Sequence, residues 1–542
     1  MGRVYANGSV FDGIRHRGSC AVGVRGGRIV AVGDLGEVRE HAGPGADEID
    51  VAGGLVLPGF IDGHMHPMVG GLERLRCEMT SLSSREEYLD AIRSHAQAHP
   101  GKGWFRAGGW SASAFGPAGP TREDLDAVLP DRPAFITSSD HHDAWVNSRA
   151  LEITGVGADT PDPDDGWFER DAHGRPTGTV REAAMAMVGD HVDTSREEYY
   201  QGLLEAQSYL HSLGITGWHD ALIGGYAGID DPTQAYLDAL GAGSLTARVR
   251  ASQWWDRHRG VEQVDDLVAQ RERLAEAGLD AGSVKFMVDG IAETFTAAVT
   301  IPYTGDLHCR CGDRGLAFMS TEQLNAAVVA VDAAGLEAHF HAIGDRAVHD
   351  ALNAVEHARR VNTMSDRRHQ IAHLQLVRPE DRPRFRSLAV AANAEGMWAR
   401  RETPAVQMLL AHLDEERVGW HYPFADIAAG GVPLAGGSDW PVNPPEPIQA
   451  IHVLVNRREY VPDGPATDPL CPEQAIGLEQ AMAAYTSGSA YVNRWHDQGS
   501  IQVGARADLI TVDRDPFACP SEQIGAASVT SVYTGDQQVH PS

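Results

Sequence analysis

Short apolar segments that end in polar residues recur through the middle of the chain, and helix-like stretches follow most of them. Eight such segments span residues 55–66, 215–221, 247–252, 283–290, 337–344, 369–375, 389–395 and 432–439. Alternating strands and helices are typical of βα units around a parallel sheet. The pattern predicts an α/β fold, a closed (β/α)8 TIM barrel with its active site at the carboxyl ends of the strands. A doubly wound open sheet is the alternative, but no glycine-rich dinucleotide motif follows the first segment.

Both ends of the chain differ from the middle. Near the amino terminus, Val22, Val24 and Ile29 flank the pair Gly26-Gly27, a pattern of alternating apolar residues around a two-residue hairpin turn. Near the carboxyl terminus, residues 507–512 and 529–533 are predicted strands separated by polar turns. We therefore expect residues 1–57 and 500–542 to form one small β-sandwich domain beside a barrel of residues 58–499.

A long insertion separates the first two barrel segments. Residues 68–200 are too many for a loop, so they should have secondary structure of their own. A hairpin is predicted around residues 171–174. An insertion at the catalytic face of a barrel would form a lid or a wall of the pocket.

Composition is that of a globular protein with an acidic charge balance. Hydrophobic residues make up 42% of the 542 residues and charged residues 22%, while 75 acidic against 45 basic residues give a net charge of −30. Phosphate backbones require clustered lysine and arginine, so we expect no binding to nucleic acid. The sequence has no apolar run of membrane-spanning length, and its first residues lack the apolar run that a signal peptide has. Its six cysteines do not indicate a disulfide scaffold. We expect a cytoplasmic protein that does not bind membranes.

Lysine is rare in this chain. Only Lys102 and Lys285 are lysines among the 45 basic residues, and Lys285 lies on the fourth predicted strand. A buried lysine can lose its proton and act as a neutral amine, whereas arginine cannot. A neutral amine in a barrel can take up carbon dioxide to become a carbamate, whose carboxylate is long enough to bridge two metal ions. Lys285 is therefore a candidate site residue before any motif is considered.

Histidines and one aspartate stand at the carboxyl ends of other predicted strands. His64 and His66 are two residues apart, so their side chains lie on the same face of a strand and can bind one divalent metal. His341 ends the fifth segment, His373 the sixth and Asp439 the eighth. Each residue alone has a structural explanation, as a core histidine or a capping aspartate. Their joint position at the catalytic end of a barrel favours a metal centre.

Four segments that contain these residues resemble the amidohydrolase superfamily, specifically its amidohydrolase-3 branch. They are residues 58–66 (PGFIDGHMH), 341–347 (HAIGDRA), 371–373 (IAH) and 437–442 (GSDWPV). Further matches at residues 484–486 and 499–509 extend the resemblance over nearly the whole chain, from about residue 3 to 520. The resemblance implies a metal-bearing barrel beside a β-sandwich of both termini. It also implies a metal-dependent hydrolase of a non-peptide C–N bond.

The resemblance assigns metal ligands residue by residue. They fall on His64, His66, Lys285 in carboxylated form, His341, His373 and Asp439. The implied cofactor is one or two divalent ions, with zinc as the expected metal. Asp439 would take the proton of the attacking water and pass it to the leaving nitrogen, and His373 would stabilise the oxyanion. His339 lies one layer deeper in the barrel than His341 and is expected to be structural.

Within the branch, residues 287–297, 371–377 and 393–398 resemble N-substituted formamide deformylases and their relatives. This subgroup implies a small amide or formamide with a hydrophobic N-substituent as substrate. Asp289 and Trp398 lie in these stretches and are expected to contact it. Many relatives have a Gln-Pro pair where this chain has Ala394-Glu395-Gly396. Glu395 is expected either to contact the substrate or to be solvated in a loop.

Two residues of the insertion are also candidate substrate contacts. Residues 140–148 resemble the substrate loop of the branch, whose histidine matches His142. Asp140 and Asp143 flank this histidine, so a second metal site is the alternative. Trp110 is expected to be an aromatic wall of the pocket.

Two other functions stay open at this stage. A cyclic amide hydrolase, which opens a lactam or imide, or a deaminase would use the same ligands and would be told apart by its product. A metal-binding protein without catalysis is the other, and the complete ligand set with Asp439 argues against it. The expected partner is a small-molecule substrate, and a homodimer is the assembly considered.

Overall fold

The computed structural model divides the chain into two compact units. It describes residues 2–116, 119–163, 165–225, 231–292, 294–305, 312–462 and 467–541. The first of the two compact units, which we call the barrel unit, comprises Met1–His66, Gln207–Leu222 and Leu245–Ser542. The second, which we call the inserted unit, comprises Pro67–Ala206 and Ile223–Ser244. The predicted boundary between barrel and sandwich stays a prediction.

Eight parallel strands form the central sheet. They are β1 (Phe60–Met65), β2 (Ile215–Ile223), β3 (Arg248–Trp254), β4 (Asp280–Met287), β5 (Glu337–Ala342), β6 (Gln370–His373), β7 (Ala391–Glu395) and β8 (Leu434–Gly437). They follow one another in chain order around the sheet. The amides of Ser438 and Asp439, just after β8, donate to the carbonyl of His64 in β1 at 3.3 and 2.8 Å. The last strand therefore meets the first, and the predicted TIM barrel is confirmed.

The first predicted segment contains two strands that belong to different sheets. Leu55–Pro58 pairs with Leu509–Val512 of the sandwich, whereas β1 begins after Gly59 and pairs with β2. A Cβ on Gly59 would lie 2.2 Å from the hydroxyl oxygen of Thr216 in β2, so only glycine fits where the chain passes from one sheet to the other.

Side-chain alternation along β5 directs its two histidines into the barrel. All six residues of β5 are buried, as in strands covered on both faces. The ring of Phe340 stacks on Phe286 of β4, with their centroids 5.5 Å apart. His339 and His341, on either side of Phe340, therefore share the opposite face of the strand, among the other barrel histidines.

Helices follow most of the strands along the chain. Those of the barrel unit are Leu35–Ala42, Gln263–Glu276, Thr321–Ala333, Asp345–Asn362, Arg382–Leu388, Pro404–Leu410, Glu415–Val418, Phe424–Ala429, Pro447–Asn456, Leu478–Ala483 and Ser489–Val492. Arg196–Ser212 and Thr233–Ala242 precede and follow β2. The helix after β4 begins at Ser320, whose hydroxyl accepts from the backbone N–H of Gln323. The side-chain oxygen of Gln323 accepts in return from the backbone N–H of Ser320. Asp345–Asn362 buries Val348, Ala351 and Val355, which lie on one face of the helix.

Both ends of the chain build two sheets that share one core. The four-stranded sheet has the order Arg28–Gly33, Ala21–Arg25, Gly2–Ala6, Asp47–Asp50. The six-stranded sheet has the order Gln537–His540, Val529–Thr534, Leu509–Val512, Leu55–Pro58, Ser9–Phe11, His16–Ser19. Tyr5 and Val24 of the first sheet pack with Val56 and Leu509 of the second. Gly26 and Gly27 have positive φ of 60° and 69°, as a tight two-residue hairpin turn requires.

The inserted unit has a sheet of its own, as its length predicts. The strand order is Gly166–Arg170, Pro176–Glu182, Asp143–Val146, Ala134–Ser138, Phe105–Trp110, Cys77–Glu78. Its helices include Pro67–Leu75, Arg85–Ala98, Arg122–Asp126, Ser148–Thr154 and Ala184–Gly189. The hairpin expected at residues 171–174 joins Gly166–Arg170 to Pro176–Glu182, and the amide of Asp171 donates to the carbonyl of Arg175.

No helix in the described part of the chain is both long enough and apolar enough to span a bilayer.

Candidate metal centre

Ligand-type side chains from six barrel strands converge at the carboxyl end of the sheet. They are His64 and His66 at β1, Lys285 on β4, His341 on β5, His373 at β6, Glu395 at β7 and Asp439 after β8. The Oδ1 atom of Asp439 lies 3.4 Å from the Nε2 atoms of both His64 and His66. The rings of His341 and His373 have centroids 4.2 Å apart. Parallel strands end at the same edge, which is why residues distant in sequence meet here.

Two groups in this cluster have the geometry of a metal site. In His64, His66 and Asp439, one ligand-type atom per residue lies within 4.8 Å of the others, and the same holds for His64, His373 and Glu395. Imidazole nitrogens and carboxylate oxygens are the usual protein ligands of zinc besides thiolates. The donor set therefore fits a divalent transition metal.

The backbone at two of these residues adopts a rarely populated conformation. His373 and Asp439 have φ of 74° and 59°, in the left-handed region that residues other than glycine seldom occupy. Such a conformation costs of order 1–3 kcal/mol and persists only where the surroundings impose it. It occurs here where β6 and β8 end and their side chains face the cluster.

Electrostatics in the cluster favour an ionised Asp439 and a neutral His64. Burial acts to raise the pKa of Asp439, but hydrogen bonds from His64 and His66 outweigh it and hold that pKa well below its usual range. Burial lowers the pKa of His64 well below its usual range, and the nearby charge of Lys285 acts in the same direction. A neutral imidazole has a lone pair available for a metal.

Lys285 is buried next to the histidines. Its Nζ atom lies 3.2 Å from His64 Nε2, and the residue is 2% exposed. Burial lowers the pKa of Lys285 to about 8, although the carboxylates of Asp439 and Glu395 act in the opposite direction. A neutral amine is therefore accessible at this position near neutral pH.

Glu395 faces the cluster and is not solvated. The residue is completely buried, and its Oε2 atom lies 2.8 Å from His373 Nδ1. Among the described residues, neither Glu395 Oε1 nor His373 Nε2 has a hydrogen-bond partner. The carboxylate thus belongs to the ligand cluster, which settles one of the alternatives left open by the sequence.

The carboxylate of Asp289 holds the backbone after β5 by hydrogen bonds. Its carboxylate accepts from the amides of Ala298, Ile343 and Gly344 at 2.9, 3.0 and 2.8 Å, and the residue has no exposed surface. Burial raises the pKa of Asp289 to about 7 although these hydrogen bonds act to lower it. The structure therefore assigns Asp289 to backbone support around His341, not to the expected substrate contact.

His339 braces the metal centre from the barrel interior. Its Nε2 atom lies 2.7 Å from His64 Nδ1, and its Nδ1 atom lies 3.0 Å from the hydroxyl of Ser252. The same hydroxyl lies 2.8 Å from His219 Nε2, and His219 Nδ1 lies 2.8 Å from Asn493 Oδ1. This buried chain fixes the orientation of the His64 ring, so that Nε2 faces Asp439.

Three supporting residues escaped the sequence analysis. His219 and Ser252 have no motif of their own, and only the closed barrel brings them under His64. Asp62 accepts from the amides of His64 and Ser438 at 3.0 and 3.2 Å and so ties β1 to β8. Its place in the segment 58–66 was the signal that could have identified it.

His142 lies in the inserted unit and forms an ion pair there. Its Nδ1 atom is 2.9 Å from the carboxylate of Glu182. Burial acts to lower the pKa of His142, but the charge of Glu182 outweighs it and raises that pKa to about 9. Arg181 pairs with Asp143, and both metal-type groups found among the described residues lie in the barrel. These pairings leave no support for the alternative of a second metal at this loop.

The two candidate tryptophans have different surroundings. Trp110 has no exposed surface, lies in the hydrophobic core of the inserted unit, and donates its indole N–H to the carbonyl of Ile136. The structure therefore assigns Trp110 to that core rather than to a pocket wall. Trp398 is 6% exposed, and its ring centroid lies 6.3 Å from that of His373. Trp398 places an apolar surface beside the ligand cluster.

Comparison with known proteins agrees with this geometry. The sequence model of the amidohydrolase family matches residues 47–540. The chain is 28% identical over 531 residues to the N-substituted formamide deformylase of Arthrobacter pascens, covering 95% of this chain and 94% of that protein. It is 29% identical over 536 residues to the protein LONG AFTER FAR-RED 3 of Arabidopsis thaliana, covering 96% and 88%.

A solved structure has the same architecture. A metal-dependent hydrolase from Pyrococcus furiosus, described as uncharacterised, superposes with a TM-score of 0.71 at 26% identity. The match covers 95% of this chain and 100% of that structure.

Proposed function

Since the chain belongs to the amidohydrolase family and is a hydrolase acting on C–N bonds, we propose that it cleaves a small amide with a hydrophobic N-substituent. An N-substituted formamide is the preferred substrate in this proposal. Water adds to the carbonyl carbon, the C–N bond breaks, and formate and a primary amine leave. The observation that carries the proposal furthest is the cluster of His64, His66 and Asp439. Trp398 lies beside the neighbouring His373.

Two buried ligand-type atoms of the cluster have no hydrogen-bond partner among the described residues, and a metal ion would satisfy them. His373 Nε2 and Glu395 Oε1 are buried polar atoms without a hydrogen-bond partner in the described part of the chain. Such atoms are costly in a protein interior unless something satisfies them. The residues that would hold one or two divalent ions, zinc in this proposal, are His64, His66, His341, His373 and Asp439. A bound metal would lower the pKa of a water ligand to about 7 and polarise the substrate carbonyl.

Lys285 supplies a further ligand in this proposal after carboxylation. The neutral amine nitrogen forms a bond to the carbon of carbon dioxide and releases one proton, which leaves a carbamate anion. A lowered pKa of about 8 supports this step, because it makes the unprotonated amine available. The product has the charge of a carboxylate at the position where its amine now faces His64.

Asp439 is the proposed acid–base group. Its Oδ1 atom faces His64 and His66, while its Oδ2 atom lies 3.9 Å from His373 Nδ1. Oδ2 accepts the proton of the attacking water and passes it to the leaving nitrogen, so that the amine departs as a neutral molecule.

Trp398 supports the preference for a hydrophobic substituent. Its ring lies beside His373, with the two ring centroids 6.3 Å apart. The name of the similar protein from Arthrobacter pascens describes an N-substituted formamide deformylase, and the similarity covers 95% of the present chain. Together these observations favour a substrate with an apolar group on nitrogen.

We expect kcat/KM to rise with the size of the N-substituent. An apolar pocket gains about 1–3 kcal/mol per methylene, which corresponds to roughly 10–200-fold in kcat/KM. The test measures formate released by the zinc-loaded protein from N-benzylformamide, N-butylformamide and formamide. A flat profile would contradict the proposed substituent. Opening of a lactam or cyclic imide without formate from any formamide would replace the proposal by a ring-opening hydrolase.

A further inference from the structure

Glu395 is a buried carboxylate that the proposed hydrolysis leaves without a role. It ends β7, and all five residues of this strand are buried. Its Oε2 atom lies 2.8 Å from His373 Nδ1, whereas its Oε1 atom has no hydrogen-bond partner among the described residues. A buried charge is costly unless a counter-charge or hydrogen bonds compensate it. His373 is the one side chain that hydrogen-bonds to Glu395 in the described part of the chain.

The contact with Glu395 determines which nitrogen of His373 is protonated. A carboxylate accepts hydrogen bonds, so His373 donates through Nδ1–H. In a neutral imidazole the lone pair then lies on Nε2, which is buried and has no hydrogen-bond partner in the described chain. Nε2 is therefore the atom of His373 that is prepared to bind a cation.

The charge of Glu395 also lies close to the place where a cation would bind. One oxygen of Glu395, one nitrogen of His64 and one nitrogen of His373 all lie within 4.8 Å of one another. Pairing of a ligating histidine with a carboxylate fixes the ring and raises the basicity of the ligand nitrogen. Loss of such a partner typically lowers metal affinity by about 10–100-fold.

On the basis of the proposed function, we propose that Glu395 is a positioning residue of the metal centre. It holds His373 in the Nδ1–H form through Oε2, and its negative charge strengthens the binding of a divalent cation. This role differs from the substrate contact expected from the sequence. In this role Glu395 acts on the metal affinity of the centre and not on the stability of the fold.

Two substitutions separate this role from alternatives. Glu395→Gln keeps an oxygen that can accept from His373 Nδ1–H but removes the charge, and Glu395→Ala removes both. Asp332→Asn is the matched control, because Asp332 is also a buried carboxylate paired with a histidine, at 3.0 Å from His369 Nε2. The second nitrogen of His369 accepts from the amide of Ala338 and so has no lone pair for a metal.

The experiment measures zinc affinity by competition with a chromophoric chelator, and the melting temperature of each metal-free protein. We expect Glu395→Ala to bind zinc about 10–100-fold more weakly than the wild type. The zinc affinity of Glu395→Gln should lie between those of the wild type and Glu395→Ala. Asp332→Asn should bind zinc as tightly as the wild type. Without metal, Glu395→Gln should melt at the same temperature as the wild type or higher, because the substitution removes a buried charge.

Each other result overturns the proposal. Wild-type zinc affinity in Glu395→Ala would exclude a role in the centre, and equal losses in Glu395→Gln and Glu395→Ala would make the carboxylate a direct ligand. A lower melting temperature of metal-free Glu395→Gln would indicate a structural residue. If the wild-type protein itself binds no zinc, the proposed function fails together with the role of Glu395. If the wild-type protein binds zinc and only the Glu395 variants depart from expectation, the role of Glu395 fails alone.

Discussion

Lys285→Arg should fold like the wild-type protein and lose its bound metal together with its turnover. The substitution keeps a long basic side chain at a buried position beside His64. Arginine keeps its proton and does not form a carbamate, so the proposed ligand is absent. We expect turnover to fall by about 10²-fold or more, because loss of partners that only orient metal ligands already costs about 10–100-fold.

The measurement combines metal content per chain, melting temperature and kcat for Lys285→Arg. Lys102→Arg is the matched control, since Lys102 is the other lysine of the chain and is exposed. Its metal content and turnover should equal those of the wild type. In Lys285→Ala, a short carboxylic acid added to the solution should partly restore turnover by occupying the place of the carbamate. Full activity of Lys285→Arg at wild-type metal content would remove Lys285 from the centre.

Asp439→Asn should lower kcat by about 10²–10⁴-fold, the range that general acid–base catalysis contributes. Asparagine has nearly the same shape and keeps one oxygen toward His64 and His66, but its amide does not accept the proton of water. Substrate binding should change little, so the loss should appear in kcat rather than in KM.

Steady-state kinetics with N-benzylformamide measure the two parameters separately. Asp332→Asn is again the control, because its carboxylate is buried at a distance from the cluster and bonded to His369. A loss confined to KM in Asp439→Asn would make this residue a substrate-binding group. Unchanged kcat would exclude it from catalysis.

The sequence predicts the barrel well because each βα unit is a local pattern. Apolar segments, their polar ends and the helices between them are readable within short windows. The first segment shows the limit of this approach. Residues 55–66 form one continuous apolar run, and periodicity does not show that Leu55–Pro58 pairs with the sandwich while Phe60–Met65 pairs with β2.

Site residues are predictable where a strand end and a ligand-type side chain coincide. His64, His66, Lys285 and Asp439 meet both conditions, and the structure brings them together. Local patterns do not predict contacts between residues that are far apart in the sequence. Asp289 was expected to contact the substrate. Its carboxylate instead accepts from the amide of Gly344, which is 55 residues away in the sequence.

Burial decides the cases that the sequence leaves open. Glu395 could be solvated or internal, and only the packing of β7 makes it a partner of His373. Trp110 is an aromatic residue like Trp398, but its strand lies in the core of the inserted unit. His219 and Ser252 matter because the closed barrel places them under His64, which no local pattern indicates.

The proposed hydrolysis requires a divalent metal at the carboxyl ends of the barrel strands. Anomalous diffraction from crystals of the zinc-loaded protein, recorded on both sides of the zinc absorption edge, tests it most directly. We expect one or two anomalous peaks within coordination distance of His64, His66, His341, His373 and Asp439, at about 2.0–2.2 Å from nitrogen and oxygen ligands. Zinc-loaded crystals without a peak among these residues, or with their only peak elsewhere in the protein, would contradict it.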